Sequence, residues 1–569
     1  MSNSIIPTSL KDKQINWGGA LRHHSARWLA ILLLVLMIIY PLALMVQQSL
    51  LVDGQWSLAN YIKFLSPNAS RSLTALWGSV WLSLASAFFA ALIGVPLALL
   101  FERFELPAKQ FLSAIATLPI VLPPLVGVVA FLFLAGESGM LPRLLQAIFK
   151  LDAPPFYLRG VSAIIVVHAY SFYVYFFLFT RAAFKRLDGA TIEAARSLSA
   201  SNWRIYWQVI LPQLRPSISA AAILVFMISM ASFSAPFIFP GDYRVLTVEI
   251  YNNKLQGDMP MAITQSVMLG MISIAFLYLN LRGEQTMVST GQKGVPLPPR
   301  PLKSRQSRIL AGVLALVATF TLALPHLTLL LISFVKNGSW TTQILPDTFT
   351  LENFVTLITA SRAADPVINS AKMAVLATSL NILFAVIFAY WHTQKRRISG
   401  KWSEAMIMLP WAIPGTVVAI ALIVTFNKPH WFTGGAILVG TFWLLPLAYF
   451  IRHLPVVYRA SHAAFLQFDR SHEEAARSLG GGNLLVFRRV VLPAIWPGVI
   501  AGALLAMVMS LGEFVSSILI YTFSNRPISV AILGEIRLYN LGSAAAYGVM
   551  LTIMIFLVTW LSARWSELR

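Results

Sequence analysis

Glu193-Ala-Ala-Arg-Ser-Leu198 and Glu474-Ala-Ala-Arg-Ser-Leu479 are the same six residues written twice. Each copy reaches an aliphatic-Leu-Pro step 19 positions after its glutamate, at Pro212 and Pro493. Each lies in a charged stretch between long apolar runs. One copy alone would read as a generic amphipathic connector. Two copies at identical spacing say that the chain has two homologous halves, each presenting the same short polar element outside an apolar core.

The repeat extends outward from these loops. Trp56-Ser-Leu-Ala-Asn60 matches Phe349-Thr-Leu-Glu-Asn353, Leu118-Pro119-Ile-Val-Leu-Pro123 matches Leu409-Pro410-Trp-Ala-Ile-Pro414, and Ser229-Met-Ala-Ser-Phe233 matches Ser510-Leu-Gly-Glu-Phe514. The offset falls from 293 at the first pair to 281 at the loops, so the first half carries the longer inserts.

Composition says what surrounds these halves. Hydrophobic residues make up 57% of the 569 and charged residues 11%, more apolar side chain than a wetted surface tolerates. Twelve charge-free intervals of 21 residues or more, from 28–52 to 538–563, are each long enough to cross a bilayer as a helix. The ninth and tenth, 405–427 and 429–451, are separated by Lys428 alone. The expected fold is an all-α membrane protein of about twelve transmembrane helices in two six-helix halves. Residues 1–281 form the first half, 282–308 a Pro-rich basic cytoplasmic linker, and 309–569 the second half, with the polar loops near 182–212 and 452–493. An even number of crossings per half puts the halves in parallel, related by a pseudo-two-fold axis. The segment 140–150 and the loop 336–372 are candidates for short interfacial helices, and no β-domain is expected.

The net charge of +21 follows topology. With a cytoplasmic N-terminus, 30 of the 43 Lys and Arg fall on the cytoplasmic side, the positive-inside bias that places both termini and both loops there. Nucleic acid would demand a clustered patch with exposed aromatics, and these charges are spread over short loops. The absence of cysteine excludes disulfides and thiolate chemistry. Lys11, Lys13, Arg22 and Arg27 precede an uncharged run without a small-residue cleavage pattern, so the first span is expected to be retained. No phosphate-binding G-x-x-x-x-G-K-[ST] loop occurs, since Gly400-Lys401 lacks its upstream glycine. No H-E-x-x-H or clustered His/Asp pattern and no nucleophile-base set is visible, so neither a catalytic residue nor a resident cofactor is expected.

The duplicated loop reads as a short helix: Ala and Leu favour it, a carboxylate precedes the first turn, and Gly480-Gly-Gly482 breaks it. Glu-Ala-Ala, then Gly at +6, then the Leu-Pro at +19 resembles the signature loop of permease subunits of ATP-binding-cassette importers. The second copy matches in full; the first has Ser199 where the family has Gly480. The resemblance implies that Glu193, Ala194, Ala195, Ser199 and Pro212, with Glu474, Ala475, Ala476, Gly480 and Pro493, form two coupling helices. Each would seat in a separate ATP-hydrolysing subunit, present in two copies and carrying ATP and Mg. It also implies an external solute-binding protein and a bacterial inner membrane. Ser510-Leu-Gly-Glu-Phe514 and Pro527-Ile-Ser-Val-Ala-Ile in a fused two-half chain resemble the ferric-iron branch. Thiamine, aminoethylphosphonate, polyamine and oxyanion permeases share much of the pattern, and an ion-gradient-driven secondary transporter is the rival class.

Within the spans, Glu513 is a carboxylate at membrane depth, which must face a pathway, an interior or a partner. Two readings stand: a cation-attracting or gating group on a route shared with Ser232, Ser510, Phe233 and Phe514, or a packing carboxyl held by Ser510, Ser516 or Ser517. His168 and His326 read as helix-helix hydrogen-bonding groups. Pro119, Pro123, Pro124, Pro410 and Pro414 predict kinks at one depth in both halves. Trp28, Trp402, Trp431, Trp496 and Trp560 read as interface anchors.

Overall fold

The computed structural model describes residues 28–66, 71–120, 123–239, 241–287, 304–340, 343–394 and 398–567. Among these, ten helices are long and apolar enough to cross a membrane, from Trp28–Ser49 to Leu541–Ser562. The pair Trp402–Ala412 and Gly415–Phe426, bent by 111°, makes an eleventh. The bend falls at the expected prolines, because a proline withdraws a donor from the helical ladder and its ring crowds the preceding turn. Pro414 caps the second segment with φ −56° and ψ 146°, and Pro123 caps Pro124–Ala135 with φ −54° and ψ 137°. A proline thus caps the following helix at the equivalent place in both halves.

The charge-free interval 429–451 does not form the span that its length predicts, and among the described residues no twelfth helix is long and apolar enough to cross a membrane. Residues 428–443 are irregular apart from a 3₁₀ turn at Trp431–Thr433, and the helix runs Leu444–Gln467. Arg452 is therefore inside the helix and not at its end. Counting between charges places every arginine at a membrane boundary; this one sits inside because a second buried charge compensates it, as shown below. Leu444–Gln467 packs along Ser361–Gln394 and Leu492–Leu511, just as Gly160–Phe184 packs along Ser72–Arg103 and Leu211–Met230.

The first helix of each half crosses to the other. Trp28–Ser49 lies against Gly415–Phe426, and Arg305–Ser333 lies against Pro124–Ala135. One apolar core therefore runs through both halves, from Leu34 and Phe233 to Phe514 and Leu551. Tyr170 of the first half ties the crossing helix Arg305–Ser333 with a hydrogen bond to the Leu322 carbonyl (2.8 Å) and a second to His326 Nδ1 (3.0 Å). In an apolar surround such bonds cost less than leaving the groups bare.

Outside the spans, Met140–Phe149 and Glu352–Thr359 are short helices. A two-stranded hairpin, Leu51–Val52 with Gln55–Trp56, closes on Asp53 and Gly54 at φ +51° and +81°, the conformation a tight two-residue turn requires. Helices run into both ends of the expected linker, to Met287 and from Arg305, and its residues 288–303 lie outside the described ones. Trp28, Trp402, Trp431 and Trp560 are exposed on the helix bundle and Trp496 is half-buried.

Candidate functional site: two coupling helices and a buried charge cluster

The duplicated loops fold alike. Gly189–Ser197 and Ser471–Ser478 are helices of two to three turns. The carboxylates at their starts are Asp188 and Asp469, accepting from the backbone N–H of Ala190 (3.0 Å) and Ser471 (2.9 Å). The bonds from Ser471, backbone first, hold Asp469 below the usual carboxylate range. Glu193 and Glu474 lie further along, exposed, on the outer faces.

Both helices end in the same turn. The N–H groups of Ser199 and Ala200 donate to the carbonyls of Arg196 (2.8 Å) and Ala195 (3.0 Å), and those of Gly480 and Gly481 to Arg477 (3.0 Å) and Ala476 (3.1 Å). That pair of bonds needs a left-handed residue at the turn. Gly480 takes φ +83° and Ser199 takes φ +58°. The serine therefore makes the glycine's turn despite its Cβ. We expect Ser199→Gly to stabilise this turn by about 1 kcal/mol, and so to slow hydrogen exchange at the Ala200 amide by about fivefold. Unchanged exchange would show that the serine is not strained there.

After each turn a four-residue helix, Asn202–Ile205 or Asn483–Val486, leads into a short π-helical segment, Tyr206–Ile210 or Phe487–Val491, which feeds into Leu211-Pro212 and Leu492-Pro493. The prolines cannot donate, and the widened turn accommodates their rings. Leu198 and Leu479, the last residues before the left-handed turns, are 84% and 89% exposed. The same residue type is thus left bare at the same point of both loops.

The charge cluster lies in the second half. Arg452 NH1 approaches Glu513 Oε1 at 2.6 Å, with the side chains 22% and 7% exposed. The Ser516 N–H donates to the same oxygen at 2.9 Å, and His453 Nε2 lies 3.9 Å from Oε2. Ser517 and Ser529 hydroxyls donate to the Glu513 carbonyl at 2.6 and 2.9 Å. Ser510 bonds elsewhere, to His453 Nδ1 at 2.9 Å. Gly415 makes the room, since a Cβ there would overlap the Arg452 guanidinium. The first half has Pro124 at that place.

The first half carries a neutral version. His168 takes the place of His453 and bonds Ser229 (3.2 Å), Ser86 (2.9 Å) and Ser232 (2.8 Å). Ser232 stands where Glu513 stands, and Val167 where Arg452 stands. Phe233 and Phe514 then meet across the pseudo-two-fold, ring centroids 5.8 Å apart and both buried. Arg452 and the His453–Ser510 contact are what reading the sequence missed, whereas His168 was expected to hydrogen-bond between helices and does so. The signal available was Glu513 itself, because a carboxylate in an apolar run requires a counter-charge. Among the described residues no three His, Asp or Glu stand together as a metal would require.

Comparison with known proteins follows this geometry. Residues 90–282 and 381–566, one block per half, match the family described as binding-protein-dependent transport system inner membrane component. A probable ABC transporter permease protein of Sinorhizobium fredii is 28% identical, covering 87% of each chain. A ferric transport system permease protein of Actinobacillus pleuropneumoniae is 26% identical over 93% of this chain and 76% of its own. A Fe(3+)-transport system permease protein of Haemophilus influenzae is 24% identical over 92% and 96%. With the family's domain present twice, over more than half of its length, the chain belongs to the inner membrane components of binding-protein-dependent transport systems.

Proposed function

We propose that this permease carries ferric iron through a bacterial inner membrane, both termini cytoplasmic, powered by two copies of a separate ATPase and supplied by an external binding protein. The carrying observation is that two relatives named for ferric transport match over 93% and 92% of the chain, so the match spans both halves. The halves are residues 1–281 and 309–569, joined by 282–308. Iron is the cargo and is not a resident metal.

In this reading each ATPase, holding ATP and Mg, takes one coupling helix: Glu193, Ala194, Ala195, Ser199 and Pro212 in one loop, Glu474, Ala475, Ala476, Gly480 and Pro493 in the other. Bare Leu198 and Leu479 supply the apolar anchor, and the exposed glutamates the polar rim. When the ATPases close, the helices are drawn together, and the rigid spans above them transmit the movement as hinge and shear. The route runs between the halves at Phe233 and Phe514, whose contact closes it, flanked by Ser232, Ser510 and Glu513. Glu513, neutralised by Arg452, acts as a latch within one half; attracting a bare cation would require that pair to open.

Uptake in a strain lacking its own iron importers tests this. Cells supplied with the chain, its ATPase and its binding protein should accumulate radioactive ferric iron in an ATP-dependent way. Accumulation of thiamine, aminoethylphosphonate, a polyamine or an oxyanion in place of iron would overturn the cargo, and uptake driven without the ATPase would overturn the class.

A further inference from the structure

The outer end of the second half holds a cleft of about 390 Å³ lined by Tyr521, Thr522, Phe523, Arg526, Leu533 and Arg537, among others. The loop that carries Arg526 is tied to its surroundings. Asn369 Nδ2 donates to the carbonyls of Ser524 and Arg526 (3.3 Å each), Asn525 Nδ2 donates to the Thr441 carbonyl (3.0 Å), and the Ile528 N–H donates to Ser370 Oγ (2.8 Å). Asn525 Oδ1 also accepts from the Thr522 N–H at 2.6 Å. Asn369, Ser370 and Thr441 belong to the ends of the bundle opposite the coupling helices, so the cleft opens on the outer face.

The internal repeat shows what is unusual here. Leu246–Leu255 in the first half corresponds to Ile528–Arg537 in the second. Arg244, the counterpart of Arg526, is held by Glu249 at 3.1 Å. In the second half Ala531 replaces that glutamate and Arg537 replaces Leu255. The acid and the base of this helix have moved, since Glu535 stands where the first half has Asn253 and Ile536 where it has Lys254. Among the described residues neither Arg526 nor Arg537 forms an ion pair. Glu535, between them in sequence, accepts from Asn540 Nδ2 at 2.9 Å. Phe523 lies 5.9 Å from the Arg526 guanidinium carbon, and Phe237 of the first half 5.6 Å from that of Arg537. These rings orient the two cations without cancelling their charge.

We propose that this cleft binds a small oxyanion, through a phosphate or carboxylate group, at the outer entrance of the permease. Two guanidinium forks at one concave site match the paired oxygens of such a group, and the volume is that of a small-molecule pocket. The inference goes beyond the ferric reading and adds to it. Two arginines outside any ion pair at the entrance disfavour a bare trivalent cation, whereas a cation travelling with oxyanion ligands arrives with its charge reduced or reversed.

The test is titration of the full chain in lipid nanodiscs with sodium phosphate and with sodium citrate, at constant ionic strength and without iron. Saturable binding is expected for at least one, weakened about tenfold or more in R526Q/R537Q and unchanged in R244Q, the paired counterpart in the first half. Phosphate alone would assign the site to a free inorganic anion; citrate alone would assign it to a carboxylate ligand arriving with cargo. Neither anion binding to the wild-type chain, or equal binding by R526Q/R537Q, overturns the proposal. So does loss of binding-protein affinity in R526Q/R537Q with no anion bound, which would give the arginines to a protein carboxylate. Because no iron enters the titration, its failure leaves the ferric reading standing, and failure of iron uptake leaves the anion site standing.

Discussion

Glu513→Gln is expected to destabilise the permease by about 3–5 kcal/mol, because it leaves Arg452 charged and unpaired inside the bundle. The glutamine keeps size and hydrogen-bonding capacity but supplies no counter-charge to the guanidinium 2.6 Å away. Arg452→Met should cost a similar amount by stranding the carboxylate. Arg452→Met combined with Glu513→Leu should recover most of the loss, since removing a buried pair together is often close to neutral. The measurement is the thermal midpoint in detergent together with the amount of permease in the membrane, read as a double-mutant cycle. Wild-type stability in Glu513→Gln would defeat the ion-pair account. Uptake per permease then separates the roles: full uptake in the double variant makes the pair a structural staple, and lost uptake at recovered abundance makes it part of the gate.

Leu198→Asp with Leu479→Asp should abolish productive ATPase docking while leaving the permease folded. Both side chains are almost fully exposed, so the fold should shift by no more than about 0.5 kcal/mol. Burying a leucine contributes about 1.5–3 kcal/mol, and two lost anchors amount to about 3–6 kcal/mol, or at least about a hundredfold in affinity. Charge reversal at Glu193 and Glu474 should do less, because exposed rim charges change association rates more than affinity. The check is affinity of the purified ATPase for the permease in nanodiscs. Unchanged affinity in the leucine double variant would remove these loops as the docking site.

Much of this architecture is local, and local features are legible in sequence. Hydropathy reports whether a segment is solvated by lipid, so Trp28–Ser49 and Leu541–Ser562 were visible in the charge-free intervals 28–52 and 538–563. Pro414 and Pro123 act on their own ladders, so the breaks were visible as well. The two Glu-Ala-Ala loops announced themselves because a repeat needs no folding to be seen.

What the tertiary structure decided is pairwise and long-range. Arg452 and Glu513 are 61 residues apart, and each alone looks like a membrane boundary or an anomaly. Only their contact lets Leu444–Gln467 pack into the bundle with an arginine inside it, and only the missing Cβ of Gly415 lets that contact form. Ser199 looked like a weakened helix break, yet backbone bonds to Ala195 and Arg196 hold it in the glycine's conformation. The exchange of first helices between halves and the two unpaired arginines of the outer cleft likewise depend on which surfaces meet. Composition and periodicity by themselves determined what each segment is solvated by; burial and charge compensation between distant residues decided where the charges went.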